Sequence, residues 1–405
     1  MTLLALILAI WLSATIVAFC LVIAIGLVKI QRTSSKASDD APASCLQPLE
    51  VIVPLKGIFA GQEHALRSLL EQDYPGYRMI FVLESECDPA NSVVDKLLNQ
   101  YPFAHKVIGG LAVSCAQKNH SLLAGLRSLR PDTEILVFCD STNLADPGWL
   151  QRFTRPLCNG DCAVVTTFRA FHLVPETIGG VCQAIYASFI RLIAAIKPKP
   201  WGGATAIKRE TFEELNIAEV WSRTIVDDLV LGNVLDCAGV KVRMDSYDLL
   251  ESPLQNQSIA GFLRYLDRQI LFPKFTNPGI WAGTLLFHVN LTVAIPAAVL
   301  TGVLFAAGQV HAICGWLSYG LLIVVVTGAL LLWRINPSSI SIKRWLISVF
   351  PCIFLSAYVF LRSVVRNYID WHGRRYWPGK GGVVLETAFE NEREVAVEEH
   401  AAFYR

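Results

Sequence analysis

The sequence predicts an α/β domain on a mostly parallel central sheet, set between membrane-spanning helices. Two observations carry this. From about residue 49 to 252, short apolar runs alternate with amphipathic stretches, the pattern of buried strands linked by helices. On both sides of that region lie apolar stretches long enough to cross a hydrocarbon core of roughly 30 Å. Composition agrees: 53% of the 405 residues are hydrophobic, more than an ordinary soluble enzyme of this length carries. A formal net charge of +1 gives no electrostatic pull toward nucleic acid. The eleven cysteines are scattered with no CxxC pair, which favours reduced thiols over a disulfide framework or a zinc site.

The first apolar segment, residues 1–30, has no charge before Lys29. It exceeds a signal-peptide core and lacks a basic region ahead of it, so it reads as a transmembrane helix. Lys29, Arg32 and Lys36 follow directly and, by the positive-inside rule, hold its C-terminal end in the cytosol. Residues 31–48 are Ser-, Ala-, Asp- and Pro-rich and read as a linker. The α/β domain is expected at 49–258. Apolar runs at 51–54, 79–83, 135–139 and 162–166 read as buried strands. Helical spacing appears at 63–72, 92–98 and 120–129. An interfacial amphipathic helix is expected at 259–279, and C-terminal membrane segments at 280–370. Two of those have spanning length (280–307 and 312–333), whereas 345–361 is shorter and broken by Pro351. Arg334, Lys343 and Arg344 precede this last segment, and Arg362, Arg366, Arg374 and Arg375 follow it. Basic flanks on both sides conflict with a simple crossing and favour a re-entrant or kinked segment with both ends cytosolic. Residues 371–405 read as a tail, acidic from Glu386 to His400.

In a mostly parallel sheet the ligand sits at the carboxyl ends of the strands. The strand at 79–83 runs into Glu84, Glu86 and Asp88, acids that could meet a base or ribose, or form a solvated turn. The strand at 135–139 runs into Asp140, a hard oxygen ligand suited to a divalent cation on a diphosphate, or else a turn or helix cap. Asp227 and Asp228 open an amphipathic helix. One of them could be a general base, and both suit the positive end of a helix. Trp201-Gly202-Gly203 suggests close backbone approach to a ligand, or an ordinary turn before a strand.

The ordered set resembles a family. Pro54-Leu55-Lys56-Gly57, Gln72-Asp73-Tyr74-Pro75, the Glu84-to-Pro89 loop, Gln117-Lys118-Asn119, Cys139-Asp140-Ser141, Gly202-Gly203 with Lys208-Arg209, and Asp227-Asp228 occur in sequence. This is similar to inverting glycosyltransferases of families 2 and 21, most of all the ceramide glucosyltransferase branch, over roughly 49–275. The resemblance implies a GT-A nucleotide-binding domain and a divalent cation (Mg²⁺ or Mn²⁺). It implies that Glu84, Glu86 and Asp88 meet the nucleotide, that Lys118 lies near the donor, that Asp140 helps hold metal and diphosphate, and that Asp228 or Asp227 is the catalytic base. The family's (Q/R)xxRW motif is matched only loosely in Gly261-Phe262-Leu263-Arg264-Tyr265-Leu266-Asp267-Arg268-Gln269. Arg264-Tyr265 fits one register and Arg268-Gln269, with Tyr265 leading, fits another. Either arginine offers a bidentate contact to a diphosphate. Trp201, Gly202, Gly203, Tyr265 and Gln269 are then expected on the acceptor side. The alternative for this stretch is a membrane-surface helix with snorkelling arginines, compatible with either register.

The expected activity is transfer of a sugar, glucose first among them, from a UDP-sugar to a lipid hydroxyl such as that of ceramide, by an integral membrane protein whose catalytic domain is cytosolic. A processive polysaccharide synthase would need more spans and an intact QxxRW. A catalytically inactive membrane scaffold would not need the strand-end acids, all of which are present. A transporter is excluded by the large polar central domain.

Overall fold

The computed structural model describes residues 2–37, 46–245 and 248–389. In chain order it contains α1 (Leu3–Ala37), β1 (Leu49–Pro54), α2 (Gln62–Leu70), β2 (Arg78–Leu83), α3 (Asn91–Leu98), β3 (Ala104–Ile108), α4 (Gln117–Leu126), β4 (Ile135–Cys139) and α5 (Trp149–Cys158). Then follow β5 (Val164–Thr166), β6 (Arg169–Val174), α6 (Ile178–Ile196), β7 (Ala204–Lys208), α7 (Arg209–Glu214), α8 (Ile217–Trp221), α9 (Asp228–Cys237), β8 (Val242–Met244) and β9 (Leu250–Gln255). The chain closes with α10 (Ile259–Thr276), α11 (Pro278–Ala306), α12 (Ala312–Ile335), α13 (Ile342–Val365), β10 (Ile369–Trp371), β11 (Arg374–Pro378) and β12 (Val384–Phe389).

Seven strands form the central sheet in the order β3-β2-β1-β4-β7-β5-β8. The first four are mutually parallel, and β7 runs antiparallel between β4 and β5. Side chains alternate between faces with the period of two that a strand imposes. Val51, Val53, Met79, Phe81, Ile135 and Val137 pack with α2, α3 and α5, while Ile52, Ile80, Val82, Leu136 and Phe138 pack with α4, α8 and α9. The strands are buried on both faces, which is why they read as continuous apolar runs. On the second face Trp221 is fully buried between Phe138 and Phe212. Its indole N–H donates to the Asp227 carbonyl at 3.1 Å, so this packing sets the entry to α9.

Beneath the domain lies a helical layer. Among the described residues, five helices are long and apolar enough to cross a membrane: α1, α6, α11, α12 and α13. The sequence reading missed α6. Its window is 72% buried, because α1, α10, α12 and α13 pack around it. Its mixture of small, apolar and polar residues resembles a core helix as much as a span. Two bounds also shift. The stretch expected as linker begins as helix, since α1 runs to Ala37, and residues 38–45 lie outside the described residues. The last segment is a 24-residue helix with Pro351 inside it. Both its ends meet the domain side. Ser341 N donates to Glu176 at 3.0 Å at the start, and Lys274 Nζ on α10 donates to the Ser363 and Arg366 carbonyls at 2.8 and 2.7 Å at the finish.

The stretch expected as a tail from 371 is a correction. Residues up to Phe389 complete an antiparallel ribbon, β10-β11-β12. Ile369 and Tyr376 are buried with Ile225, Val226, Val230, Leu271 and Phe272. This apolar seam gives the ribbon a place in the core. The acidic residues from 390 onward lie outside the described residues.

Truncating Trp221 to alanine empties this buried site. The expected cost is about 3–5 kcal/mol, the range for a buried aromatic. It would appear as a lower thermal midpoint in detergent together with loss of activity. An unchanged midpoint would show that α9 is positioned by something else.

Candidate active site

Four segments meet at the carboxyl edge of β4. The fully buried strand delivers Asp140. Antiparallel pairing sets Cys139 opposite Ala204, so the turn ahead of β7 lies against Asp140, and Asp140 N donates to the Gly203 carbonyl at 2.9 Å. Helix α4 brings Lys118 from beneath, and the start of α9 brings Asp227 and Asp228. Asn119 fixes α4 to this last segment by donating to the Thr224 carbonyl at 3.0 Å.

Lys118 is the hub. Its ammonium lies 3.1 Å from Asp140 Oδ1 and 3.1 Å from Asp227 Oδ2, and it donates to the Gly202 carbonyl at 2.7 Å. Gly202 N in turn donates to Asp228 Oδ2 at 2.8 Å, and Leu229 N donates to Asp228 Oδ1 at 2.6 Å. Both backbone groups of Gly202 are therefore bonded within the cluster. A Cβ at Gly202 would sit 2.9 Å from Lys118 Nζ, and one at Gly203 would run into the Trp201 ring. The glycine pair thus serves close approach to charged side chains of the protein itself.

Burial alone would lower the Lys118 pKa, but Asp140, Asp227 and Asp228 hold it above its ordinary value. Asp227 is raised by burial, with Lys118 opposing. Asp228 is pushed up to about 6, first by burial and then by the Asp227 charge, while Lys118 and the Gly202 and Leu229 amides pull it down. This is the environment of a proton acceptor near neutral pH.

The other face of Asp140 meets Arg169, 3.7 Å from Oδ2. Arg169 stacks 4.7 Å from the Trp201 ring centroid. Tyr265 stands edge-on to Phe171 at 6.3 Å. Burial raises its pKa, and the charges of Arg169 and Arg268 draw it down. Helix α10 thus turns Tyr265 and Arg268 toward this cleft, whereas Arg264 and Gln269 are exposed.

The acidic loop after β2 divides. Glu84 accepts from Lys56 at 3.4 Å and pairs with Arg374 at 2.5 Å. Glu86 is exposed and pairs with Lys106 at 3.3 Å, away from Glu84. Asp88 accepts from the Gly57 and Ala90 amides at 3.0 and 2.9 Å, so it ties one loop to the start of α3. Of the three acids expected at the nucleotide, only Glu84 pairs with Lys56 and Arg374. Sequence reasoning missed Arg169, His372 and Arg374. None stands in a motif, and the last two belong to the ribbon read as a tail.

Among the described residues, no group of three or more His, Cys, Asp or Glu side chains is arranged to hold a metal ion. The fit is instead with a cation held jointly by protein and substrate. Mg²⁺ commonly takes one or two carboxylates, with phosphates and water completing its shell. Asp140, its side chain 27% exposed, offers such a carboxylate.

The model of glycosyl transferase family 21 matches residues 15–384. A ceramide glucosyltransferase of Komagataella phaffii (strain GS115 / ATCC 20864) is 32% identical over 77 residues, 19% of this chain. The match spans 15% of that relative's own length. Mannosyltransferase PcManGT from Pyrobaculum calidifontis, solved with GDP-Man and Mn²⁺, aligns over 88% of this chain and 98% of its own. Its TM-score is 0.50 at 17% identity, a likeness that shows the GT-A fold.

Replacing Lys118 with methionine leaves three carboxylates facing one another. Breaking a buried ion pair costs about 3 kcal/mol or more. The carboxylates' folded-state pKa values would rise further, so stability is lost above those values and recovered as pH falls through them. The expected result is a lower thermal midpoint at pH 7.5 and a smaller deficit at pH 5.5. A deficit independent of pH would show that Lys118 acts through packing alone.

Proposed function

The chain belongs to glycosyl transferase family 21, and we propose that it moves glucose from UDP-glucose to the hydroxyl of a membrane lipid such as ceramide, inverting the anomeric centre. It is a hexosyltransferase with a GT-A domain and helices able to span a membrane; the donor, acceptor and stereochemistry are the proposal.

One observation favours a lipid acceptor above the rest. A single apolar cluster runs from Leu12, Leu291 and Leu321 in the long helices, through α6, α10 and α13, to Phe168 and Phe171, with Trp201 and Tyr265 packed against its edge. Trp201 begins the turn whose next residue bonds both Lys118 and Asp228. A lipid whose chains lie among these helices would present its headgroup beside Asp228. A growing polymer would instead need a channel through several spans.

In this reading Asp228 is the base. It takes the proton of the acceptor hydroxyl as the oxygen attacks the anomeric carbon, from the face opposite the departing diphosphate. The Gly202 and Leu229 amides hold its carboxylate in place. Lys118 keeps Asp140 and Asp227 neutralised nearby, and Arg268 faces the diphosphate. Asp140 would hold the Mg²⁺ or Mn²⁺, which when bound offsets charge on the leaving group. Tyr265 and Trp201 line the acceptor side.

The membrane arrangement follows. We read α1, α11 and α12 as crossing helices, with α6, α10 and α13 in the interface on the domain side. Lys29 after the first span supports a cytosolic position for that side, by the positive-inside rule.

Purified protein incubated with labelled UDP-glucose and a lipid extract should give a labelled, lipid-soluble product. A long labelled polymer would favour a processive synthase, and no turnover with any UDP-sugar would favour a scaffold. Asp228→Asn should abolish transfer while leaving UDP affinity within a few-fold. Near-normal turnover by that variant would remove Asp228 as the base. Since only the deprotonated carboxylate accepts a proton, kcat/KM of the native enzyme should rise with pH through about 6 and level off above it.

A further inference from the structure

Three cations gather where the C-terminal ribbon meets the domain. Lys56 Nζ lies 3.4 Å from Glu84 Oε2 and donates to the His372 carbonyl at 3.4 Å. Arg374, only 3% exposed, pairs with Glu84 at 2.5 Å and also bonds Gln117. Arg268 is the third, and the charges of Arg268, Lys56, Arg374 and Asp140 all bear on His372. Three cations against the two carboxylates of Glu84 and Asp140 leave this end of the cleft positive. The end formed by Lys118, Asp140, Asp227 and Asp228 has the opposite balance.

The ribbon's turn is built to reach this place. β10 and β11 pair Trp371 with Arg374 and leave a two-residue loop, His372-Gly373. Both residues have positive φ, 49° and 72°, as a type I′ hairpin turn requires. Histidine accepts that backbone region less readily than glycine, yet it stands at the exposed tip of the turn. The turn is held from three directions. Trp371 packs edge-on to Phe272 at 5.6 Å, one helical turn beyond Arg268 on the same face of α10. Arg374 latches it to Glu84. Farther along the ribbon, the Gly382 carbonyl accepts from Ile225 N at 2.8 Å, two residues before Asp227.

We propose that the His372-Gly373 turn is part of the donor site, where His372, flanked by Lys56 and Arg268, caps the diphosphate of a bound nucleoside diphosphate. Arg374 is the positioning residue that holds the turn against Glu84. The charges of Arg268, Lys56 and Arg374 bear on the imidazole. A neutral ring still has one N–H to donate to a phosphate oxygen. The inference rests on the nucleotide-sugar reading above.

The test uses the full-length protein in detergent and variants that preserve the turn. His372→Asn and His372→Gly both tolerate positive φ and remove the imidazole. UDP and uridine are compared as competitive inhibitors against the donor. A hydrogen bond to a charged group is worth enough to shift affinity about tenfold. Both variants should therefore weaken UDP about tenfold and leave uridine within twofold. Equal losses for UDP and uridine would show a purely structural turn and overturn the proposal, as would unchanged inhibition by both. A native protein inhibited by neither ligand would instead overturn the nucleotide-sugar reading itself, and this inference with it.

Discussion

The Lys118 ammonium is the constraint on which the site depends. Asp140, Asp227 and Asp228 converge at the carboxyl edge of the sheet, and like charges so close in a largely dry place repel strongly. Lys118, 3.1 Å from two of them, makes the convergence tolerable. Its third bond, to the Gly202 carbonyl, fixes the turn whose amide orients Asp228. One cation thus sets the charge state of the neighbouring acids and, through a glycine backbone, the direction of the carboxylate assigned as base. The arrangement needs α4, β4, the turn before β7 and α9 to meet at one point. Asn119, Trp221 and the β4–β7 pairing enforce that meeting.

Much of this was legible in the sequence, for a physical reason. A strand buried on both faces must be apolar, so an acid directly after it marks the sheet edge. Asp140 was visible in this way, and Asp227-Asp228 opening an amphipathic helix were visible for the same kind of reason. The acidic loop was legible only as a loop. Three acids in five residues looked alike, but local geometry gave them different work: Glu84 turns to Arg374, Glu86 to Lys106, and Asp88 to backbone amides. Helix α10 posed a similar choice between two arginines. One helical turn separates Arg264 from Arg268, and packing of Phe272 on Trp371 turns the second toward the cleft.

What stayed hidden depended on contacts between the ends of the chain. Arg374 and His372 follow the last long helix, in a stretch rich in glycine and charge that reads as a tail. Its strands are short, and its core partners, Ile225, Val230 and Leu271, come from elsewhere. No local periodicity can announce a ribbon whose stability is borrowed from a distant seam. Helix α6 was hidden differently. It is nearly surrounded by other helices, so its polar Gln183, Ser188 and Arg191 are accommodated inside the layer, and its sequence lacks the uniform apolarity of α11 or α12.

The site is also polarised, and this polarity gives the proposed chemistry a direction. The acidic end, with Asp228, opens toward Trp201 and the helical layer, where a lipid hydroxyl would arrive. The cationic end, with Arg268, Lys56 and Arg374, lies toward Glu84 and the ribbon, where a diphosphate would leave. A hydroxyl gains by surrendering its proton to the acidic end, and a departing anion gains by moving toward the cationic one. Both gains accrue as charge develops along a single line, from acceptor through anomeric carbon to leaving group. The ribbon that supplies Arg374 also bonds the backbone at Ile225, just ahead of Asp227 and Asp228, so the two poles are spaced by one piece of structure. That piece is rooted in α10 and α13 through Phe272, Lys274 and the Asp267–Arg366 pair. The distance between Asp228 and the cationic end is therefore set by helices of the same layer from which the proposed acceptor would come.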